Sequence, residues 1–304
     1  MGYLEAKNKI RRAATHLARR IKGEPRIIAS LTSYPPRIGT VDKAIRSLLA
    51  QKTLPDKIVL CLYEGDFPRG ERDLPPQLRE LFANDVVVRW VDEDLKSHKK
   101  WYWAFGDYPD DLVVLFDDDL IYRNTLIGEL LDCHKRFPEC VCASRTHFII
   151  FGENGLFLPY GKWEMEAPAR YPELTFAPSV QLFATTGAGT LFPPHSLPDE
   201  AFDREAIREL CMNADDVWIN ELLRSCGEKV VAATGNQALE YIPDTQDVAL
   251  CHENLDSGGN DGYFRQIADS MHGGEMGLFC LGYKDPSFDA LNENCLLYTS
   301  DAAD

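Results

Sequence analysis

The sequence lacks any hydrophobic run long enough to cross a membrane. Its longest apolar stretches lie within KIVLCLY and DLVVLF and are far shorter than the ~20 residues that a membrane-spanning helix needs. The charged N-terminus also lacks the apolar segment of a signal peptide. The nine cysteines are scattered, and only Cys140 and Cys142 lie close together, which fits neither a zinc site nor a disulfide framework. We therefore expect a reducing, cytoplasmic setting.

Several motifs that would identify other protein classes are also missing. No GxGxxG or GxxxxGK[ST] follows the first strand-like segment, which excludes the usual dinucleotide-binding and phosphate-loop folds. No internal repeat and no low-complexity linker divides the chain, so a single domain over residues 23–294 is the simpler interpretation.

Charge is distributed unevenly along the chain. Residues 1–22 carry seven Lys and Arg against one Glu, a balance of +6, and the net charge of −16 therefore leaves −22 on the remainder. This segment is typical of a basic amphipathic helix, which either lies on an anionic membrane surface through residues 4–22 or packs on the domain. The acidic body argues against nucleic acid as a partner.

The last ten residues do not resemble natural protein sequence. The stretch at 295–304 reads CLLYTSDAAD, which resembles the translation of an adapter used in sequencing libraries. We leave it out of the fold prediction and expect the natural chain to continue beyond Asn294.

From residue 26 onwards, strand-like and helix-like segments alternate, which predicts a parallel α/β sheet. Thr40 and Asn124 are the expected N-caps of two of the helices, and VCASRTHFII is expected to form one strand. Ligands bind beyond the carboxyl ends of the strands in such sheets. Polar clusters follow each of the first four predicted strands, and they are Thr32–Tyr34, Glu64 with Asp66, Asp92–Asp94 and Asp117–Asp119.

Three adjacent aspartates, Asp117, Asp118 and Asp119, follow the apolar run VVLF. If the strand continues to its end, Asp117 and Asp119 project to one face and Asp118 to the other. Two carboxylates at a strand end form part of a site for Mg²⁺ or Mn²⁺, which a diphosphate would complete. The alternative is a turn whose aspartates cap the next helix.

A second acidic pair, Asp215 and Asp216, lies in the segment CMNADDVWINELLRSCG, where Asn213 is the expected helix cap. Compensation of the helix dipole is the alternative role of this pair. Just upstream, TTGAGTLFPP places Gly187 and Gly189 in a strand-like stretch, where missing side chains allow either close approach of a ligand or a tight bend.

Five segments, taken in their order along the chain, are similar to bacterial glycosyltransferases of the family-2-like group. The similarity runs from about residue 26 to 262. The segments are LTSYPPRI, SLLAQKTLPDKIVLCL, HKKWYWAFGDYPDDLVVLFDDDLIY, TGAGTLFPP and ADDVWINELL. The resemblance implies the glycosyltransferase A fold, a Rossmann-like and mostly parallel sheet flanked by helices. It also implies inverting sugar transfer from a nucleotide sugar, by family habit a UDP-sugar, to a glycan or glycolipid in capsule or lipopolysaccharide synthesis.

The resemblance also implies roles for individual residues. Asp117–Asp119 match the DxD-type motif that holds the metal and the sugar nucleotide, and Asp216, beside Asp215, matches the catalytic base. His252 lies in the region of a further metal ligand, and the segment NLDSGGND at 254–261 matches a stretch of unassigned role. The remaining residues expected to bind the nucleotide sugar are Thr32, Ser33, Tyr34, Arg37, Glu64, Lys99, Lys100, Gly187 and Gly189.

Two other functions share parts of this pattern. A sugar-1-phosphate nucleotidyltransferase needs a Gly-rich loop with several basic residues after the first strand, whereas TSYPPRIG supplies only Arg37. A non-catalytic nucleotide- or glycan-binding protein would have no use for both intact acidic clusters.

Overall fold

A computed structural model describes residue 19 and residues 21–152, 157–235, 238–243, 245 and 259–271. Its strands in chain order are β1 (Ile27–Thr32), β2 (Lys57–Tyr63), β3 (Val86–Val91), β4 (Leu112–Phe116), β5 (Leu120–Ile121), β6 (Val141–Ala143), β7 (Thr146–Phe148), β8 (Leu182–Ala184), β9 (Ala188–Phe192), β10 (Val230–Ala232) and β11 (Glu240–Tyr241). Its helices are α1 (Val41–Leu49), α2 (Pro76–Arg79), α3 (Lys99–Asp107), α4 (Leu126–Arg136), α5 (Pro172–Thr175), α6 (Arg204–Leu210), α7 (Asp215–Ser225) and α8 (Gly259–Met271).

The predicted fold class is confirmed, because the chain forms one mixed α/β domain around a mostly parallel sheet. Seven strands form this central sheet in the order β10-β6-β9-β4-β1-β2-β3. Strand β9 runs antiparallel to both of its neighbours, β4 and β6, while the other neighbouring pairs are parallel. The start of β9 therefore lies beside the end of β4.

Apart from the edge strand β3, the sheet is buried on both faces, which explains why its central strands are apolar without alternation. In β4, Val113 and Leu115 pack in the cluster that contains α3 and α7, while Leu112, Val114 and Phe116 pack with α1 and α4. Successive residues of a strand point to opposite faces, so one five-residue strand contributes to both layers of core.

Three local predictions were wrong. The segment VCASRTHFII forms two strands, since β6 belongs to the central sheet and β7 pairs with β8 in another. The N-cap position of α4 is Thr125 rather than Asn124, and the side chain of Gln51 accepts the hydrogen bond from the Ile127 N–H instead. The N-cap position of α7 is Ala214 rather than Asn213. Thr40 does hold the N-cap position of α1.

The proposed N-terminal helix over residues 1–22 lies largely outside the described residues, as does the segment at 295–304. Among the few residues described there, Arg19 forms an ion pair with Asp56, whereas Ile21 is exposed. Within the described part of the chain, no helix has the length and apolar character needed to span a membrane.

Candidate active site

A cavity of about 640 Å³ opens at the carboxyl ends of β1 and β4. Its volume falls in the range of small-molecule sites. Most of the predicted site residues line it, namely Thr32, Ser33, Tyr34, Arg37, Lys99, Lys100, Asp117, Asp118, Asp119, Gly187, Asp215 and Asp216. Glu64 and Gly189 are not among the lining residues. His252 lies outside the described residues.

The antiparallel direction of β9 brings Gly187 against Asp117. The Asp117 N–H donates to the Gly187 carbonyl over 3.0 Å, and the buried Tyr122 hydroxyl donates to the same carbonyl over 2.6 Å. A Cβ atom at Gly187 would lie only 1.9 Å from Oδ2 of Asp117. The chain therefore needs glycine here so that the carboxylate can occupy this place, and the group that approaches Gly187 is a side chain of the protein itself.

The side chains of the three aspartates after β4 do not point in the alternating directions that a continued strand would give them. Strand β4 ends at Phe116, and Arg37 Nη1 lies 2.9 Å from Asp118 Oδ1 and 3.1 Å from Asp119 Oδ2. Asp118 also accepts a hydrogen bond of 2.5 Å from the Ser33 hydroxyl. Burial raises the pKa of Asp118, although Arg37 opposes this. Asp118 and Asp119 thus share one cation, and Asp117 is directed elsewhere.

Lys100 connects the two acidic clusters. Its Nζ lies 2.8 Å from Asp117 Oδ1 and 2.9 Å from Asp215 Oδ2, and its side chain is only 3% exposed. Burial alone would lower the pKa of Lys100, but the charges of Asp117, Asp215 and Asp216 raise it well above its usual value. Lys100 therefore stays cationic and holds the end of β4 close to the start of α7.

Asp216 is the carboxylate with the most useful pKa for proton transfer near neutrality. Its Oδ1 accepts hydrogen bonds from the Thr186 N–H over 2.9 Å and from the Thr186 hydroxyl over 2.5 Å. Burial and the neighbouring charge of Asp215 raise the pKa of Asp216 to about 7, while Lys100 and Thr186 oppose the rise. Since Thr186 occupies Oδ1, Oδ2 is the oxygen available to a ligand that enters the cavity.

The cavity carries more acidic than basic side chains. Its cationic side chains all make ion pairs with carboxylates: Lys96 and Lys99 with Asp94, and Arg145 with Glu166, in addition to Arg37 and Lys100. The lining holds the seven carboxylates of Asp66, Asp94, Asp117, Asp118, Asp119, Asp215 and Asp216, against the five cations of Arg37, Lys96, Lys99, Lys100 and Arg145. An anionic ligand would need an additional cation to bind here.

The donor set at the end of β4 suits a hard divalent cation. Asp117 and Asp119 offer carboxylate oxygens at the cavity wall, and the Asp117 side chain is 41% exposed. Within the described residues, no group of three or more His, Cys, Asp or Glu side chains forms a complete metal site. Mg²⁺ binds through as few as one or two carboxylates and fills its shell with phosphate oxygens and water, so the more exposed Asp117 is sufficient as a first ligand for such an ion.

Sequence reasoning missed several residues of this site: Tyr122, Tyr160, Thr186 and Asn260, together with the cavity residues Lys96, Arg145 and Phe183. Thr186 directly precedes Gly187 in TTGAGT, and Asn260 belongs to the unassigned stretch NLDSGGND, so both lay within segments that the sequence singled out. Tyr122 follows the aspartates by three residues, but nothing in its spacing indicates that its hydroxyl reaches Gly187. Tyr160 has no sequence signal at all.

Comparisons with known proteins add little to this geometry. No protein-family model matches the chain, and no curated protein matches it. Among solved structures, it is similar to residues 1–349 of TarS from S. aureus, with a TM-score of 0.43 and 12% sequence identity over 84% of this chain and 69% of that chain. A similarity this weak carries no argument about function, which has to be inferred from the cavity itself.

Proposed function

We propose that this protein is a metal-dependent, inverting glycosyltransferase with the glycosyltransferase A fold. In this proposal it moves a sugar from a nucleotide sugar, a UDP-sugar in the first instance, to a hydroxyl of a glycan or glycolipid in surface polysaccharide synthesis. The proposed setting is the cytoplasm or the inner face of the cell membrane.

One observation carries the proposal: a single cavity joins the carboxylates at the end of β4 to Asp216 at the start of α7, with Lys100 between them. The first group suits a cation that binds a diphosphate, and the second supplies a base. In inverting sugar transfer from a nucleotide sugar, the cation acts at the leaving diphosphate and the base at the acceptor hydroxyl. The excess of carboxylates over cations in the cavity further supports a divalent ion between protein and diphosphate.

The nucleotide end of the donor is assigned to the wall formed by Thr32, Ser33 and Tyr34, beside Arg37. These residues follow β1, so they lie at the carboxyl edge where α/β sheets bind ligands. Ser33 and Arg37 hold Asp118 in place, and this carboxylate is therefore a fixed part of the wall rather than a mobile ligand.

Asp117 and Asp119 would hold Mn²⁺ or Mg²⁺, which when bound would offset negative charge that develops on the leaving diphosphate. Lys100 contacts Asp117 and so contributes a fixed positive charge on the same side of the cavity as the proposed ion. Because Lys100 is buried and paired, we assign it to positioning the two acidic clusters.

Asp216 acts as the general base. Its Oδ2 takes the proton from the acceptor hydroxyl as the acceptor oxygen bonds to the anomeric carbon, and the bond from that carbon to the diphosphate oxygen breaks. The nucleoside diphosphate leaves with the electron pair. A pKa of about 7 suits this role, because a base titrating near the working pH is both deprotonated and strong enough to accept the proton. General-base assistance contributes a factor of roughly 10²–10⁴ to the rate.

The first test measures binding. A thermal-shift screen of UDP-sugars, GDP-sugars and free UDP, with and without Mn²⁺, is expected to show stabilisation that requires the ion. Asp119→Ala should lose the Mn²⁺-dependent part, whereas Asp132→Ala, at an exposed position on α4, should retain it. Absence of any metal-dependent nucleotide binding in the wild-type protein would overturn the proposal.

The second test measures turnover. Asp216→Asn keeps the shape of the side chain and its hydrogen bonds from Thr186, so it should bind the nucleotide sugar normally. It should lose transfer and hydrolysis of the donor by a factor of roughly 10²–10⁴. Unchanged turnover in this variant would remove Asp216 from the mechanism.

A further inference from the structure

One side of the cavity has no role in the donor chemistry described above. It consists of Arg145, Tyr160, Phe183 and Asn260, which we call the acceptor wall. These residues come from the connection after β6, the loop before α5, strand β8 and the first turn of α8. The acceptor wall and Asp216 line the same cavity, and the charge of Asp216 contributes to the raised pKa of Tyr160.

Asn260 lies at the cavity and has an unfilled hydrogen-bonding capacity. It is only 8% exposed, and its Oδ1 is buried without a hydrogen-bond partner in the described part of the chain. Buried amide oxygens in native proteins are nearly always hydrogen-bonded, so an exception at a cavity surface indicates a group that a ligand satisfies. Asn260 is one of the residues that line the cavity.

Tyr160 is fixed next to Asn260 through the backbone. Its N–H donates to Asp261 Oδ1 over 2.7 Å, and Asp261 follows Asn260 in α8. The Tyr160 ring packs edge-on against Phe183, with ring centroids 5.8 Å apart. Burial and the charge of Asp216 raise the pKa of Tyr160, so its hydroxyl remains a neutral donor. Among the described residues, this hydroxyl has no hydrogen-bond partner.

The acceptor wall offers no unpaired charge to a ligand. Arg145, its one charged member, forms an ion pair with Glu166. What remains at the cavity is Tyr160, with its ring and phenol hydroxyl, and the carboxamide of Asn260, while Phe183 is only 1% exposed and supports the Tyr160 ring. A sugar ring has an apolar C–H face and hydroxyl groups at its edge, which matches this combination better than a phosphate or a carboxylate does.

We propose that the acceptor wall binds an uncharged sugar ring of the acceptor, with Asn260 and Tyr160 hydrogen-bonded to its hydroxyls. This arrangement places a further hydroxyl of the same ring at Oδ2 of Asp216. Asp261 is a positioning residue in this scheme, because it holds the Tyr160 backbone. The stretch GND at 259–261 thereby acquires a function. This inference rests on the proposed function, since it assigns the second substrate of the same reaction.

The experiment compares two reactions of one protein. Hydrolysis of a UDP-sugar with Mn²⁺ and no acceptor reports on the donor side, and transfer to a panel of neutral p-nitrophenyl hexosides reports on the acceptor wall. Asn260→Ala and Tyr160→Phe should each raise the KM for the hexoside about tenfold, which corresponds to one lost neutral hydrogen bond. In both variants the ratio of transfer to hydrolysis should therefore fall about tenfold at a hexoside concentration below KM. Gln266→Ala, at an exposed position of α8, is the matched control and should change neither reaction.

The outcomes separate the two proposals. If the wild-type protein neither binds nor hydrolyses nucleotide sugars, the proposed function fails and this inference fails with it. If hydrolysis is normal but both variants transfer sugar to the hexosides with an unchanged KM, the acceptor wall is wrong while the proposed function stands. If the wild-type protein transfers only to phosphorylated or carboxylated sugars, the acceptor is charged and the inference is overturned. Saturation-transfer NMR of the hexosides with the UDP-bound protein provides a readout independent of turnover, and a titration of the signal with Asn260→Ala should give a Kd about tenfold higher than that of the wild-type protein.

Discussion

Thr186 donates two hydrogen bonds to one oxygen of Asp216, from its N–H over 2.9 Å and from its hydroxyl over 2.5 Å. The carboxylate is therefore held in one orientation, with Oδ2 left for a ligand. Burial and the charge of Asp215 raise the pKa of Asp216 to about 7, and Thr186 limits that rise. Thr186 therefore fixes the orientation of the proposed base and helps to set its pKa.

Replacement of Thr186 by valine should move the pH dependence of the reaction. Valine has nearly the same shape but removes the hydroxyl donor, and a hydrogen bond to a charged group contributes ~1.5–3 kcal/mol. The pKa of Asp216 should then rise by roughly 1–2 units. The rising limb of kcat/KM against pH, which we expect near pH 7 for the wild-type protein, should shift upwards by the same amount. Thr175→Val, at another buried threonine, serves as the control and should leave the limb in place.

Asp216→Asn should make the protein more stable at alkaline pH. The pKa of Asp216 is about 7 in the folded protein and ~3.9 in the unfolded chain. The folded state therefore binds a proton that the unfolded state lacks between about pH 4 and pH 7, and stability falls as pH rises through this window. Asparagine removes this effect. Thermal unfolding should show a higher Tm for the variant at pH 8 and a smaller difference at pH 5, whereas Asp132→Asn, at an exposed site, should show no such trend.

Lys100→Met should destabilise the fold strongly. It leaves the carboxylates of Asp117 and Asp215 without their buried counter-charge, and removal of one member of a buried ion pair costs ~3–5 kcal/mol. Lys135→Met removes an exposed pair with Asp132 and should change the free energy of unfolding by less than ~1 kcal/mol. Equal urea midpoints for the two variants would contradict the bridging role of Lys100. In any Lys100→Met protein that folds, the pKa of Asp216 should be higher.

Gly187→Ala should weaken binding of the nucleotide sugar without unfolding the protein. The added methyl would occupy the position of the Asp117 carboxylate, which is the movable end of a side chain. The fold should therefore survive, while Mn²⁺-dependent binding of a nucleotide sugar weakens at least tenfold. Gly106→Ala in α3 meets nothing within 4 Å and should bind as the wild-type protein does. Normal binding by Gly187→Ala would show that the Asp117 carboxylate is not required for the donor.

Much of the architecture was predictable because it depends on local patterns. Apolar runs such as LVVLF are long enough to mark a buried strand, and helical spacing in VDKAIRSLL marks a surface helix with one apolar side. The prediction that polar clusters meet at the carboxyl edge also follows from parallel topology alone, and the positions of Ser33 and Asp118 in one cavity agree with it. The prediction of one continuous strand over VCASRTHFII was wrong. In a fully buried segment, the hydrophobic pattern of the sequence does not change at the residue where the chain bends.

The sequence by itself determined the α/β class, the two acidic clusters and their positions at element ends, because these are properties of neighbouring residues. Only the tertiary structure decided that β9 runs antiparallel and brings Gly187 to Asp117, that Lys100 joins Asp117 to Asp215, and that Asn260 faces the same cavity. Each of these contacts joins residues far apart in the chain. Their geometry depends on strand direction and on the packing of whole helices, which the spacing of apolar and polar residues does not encode.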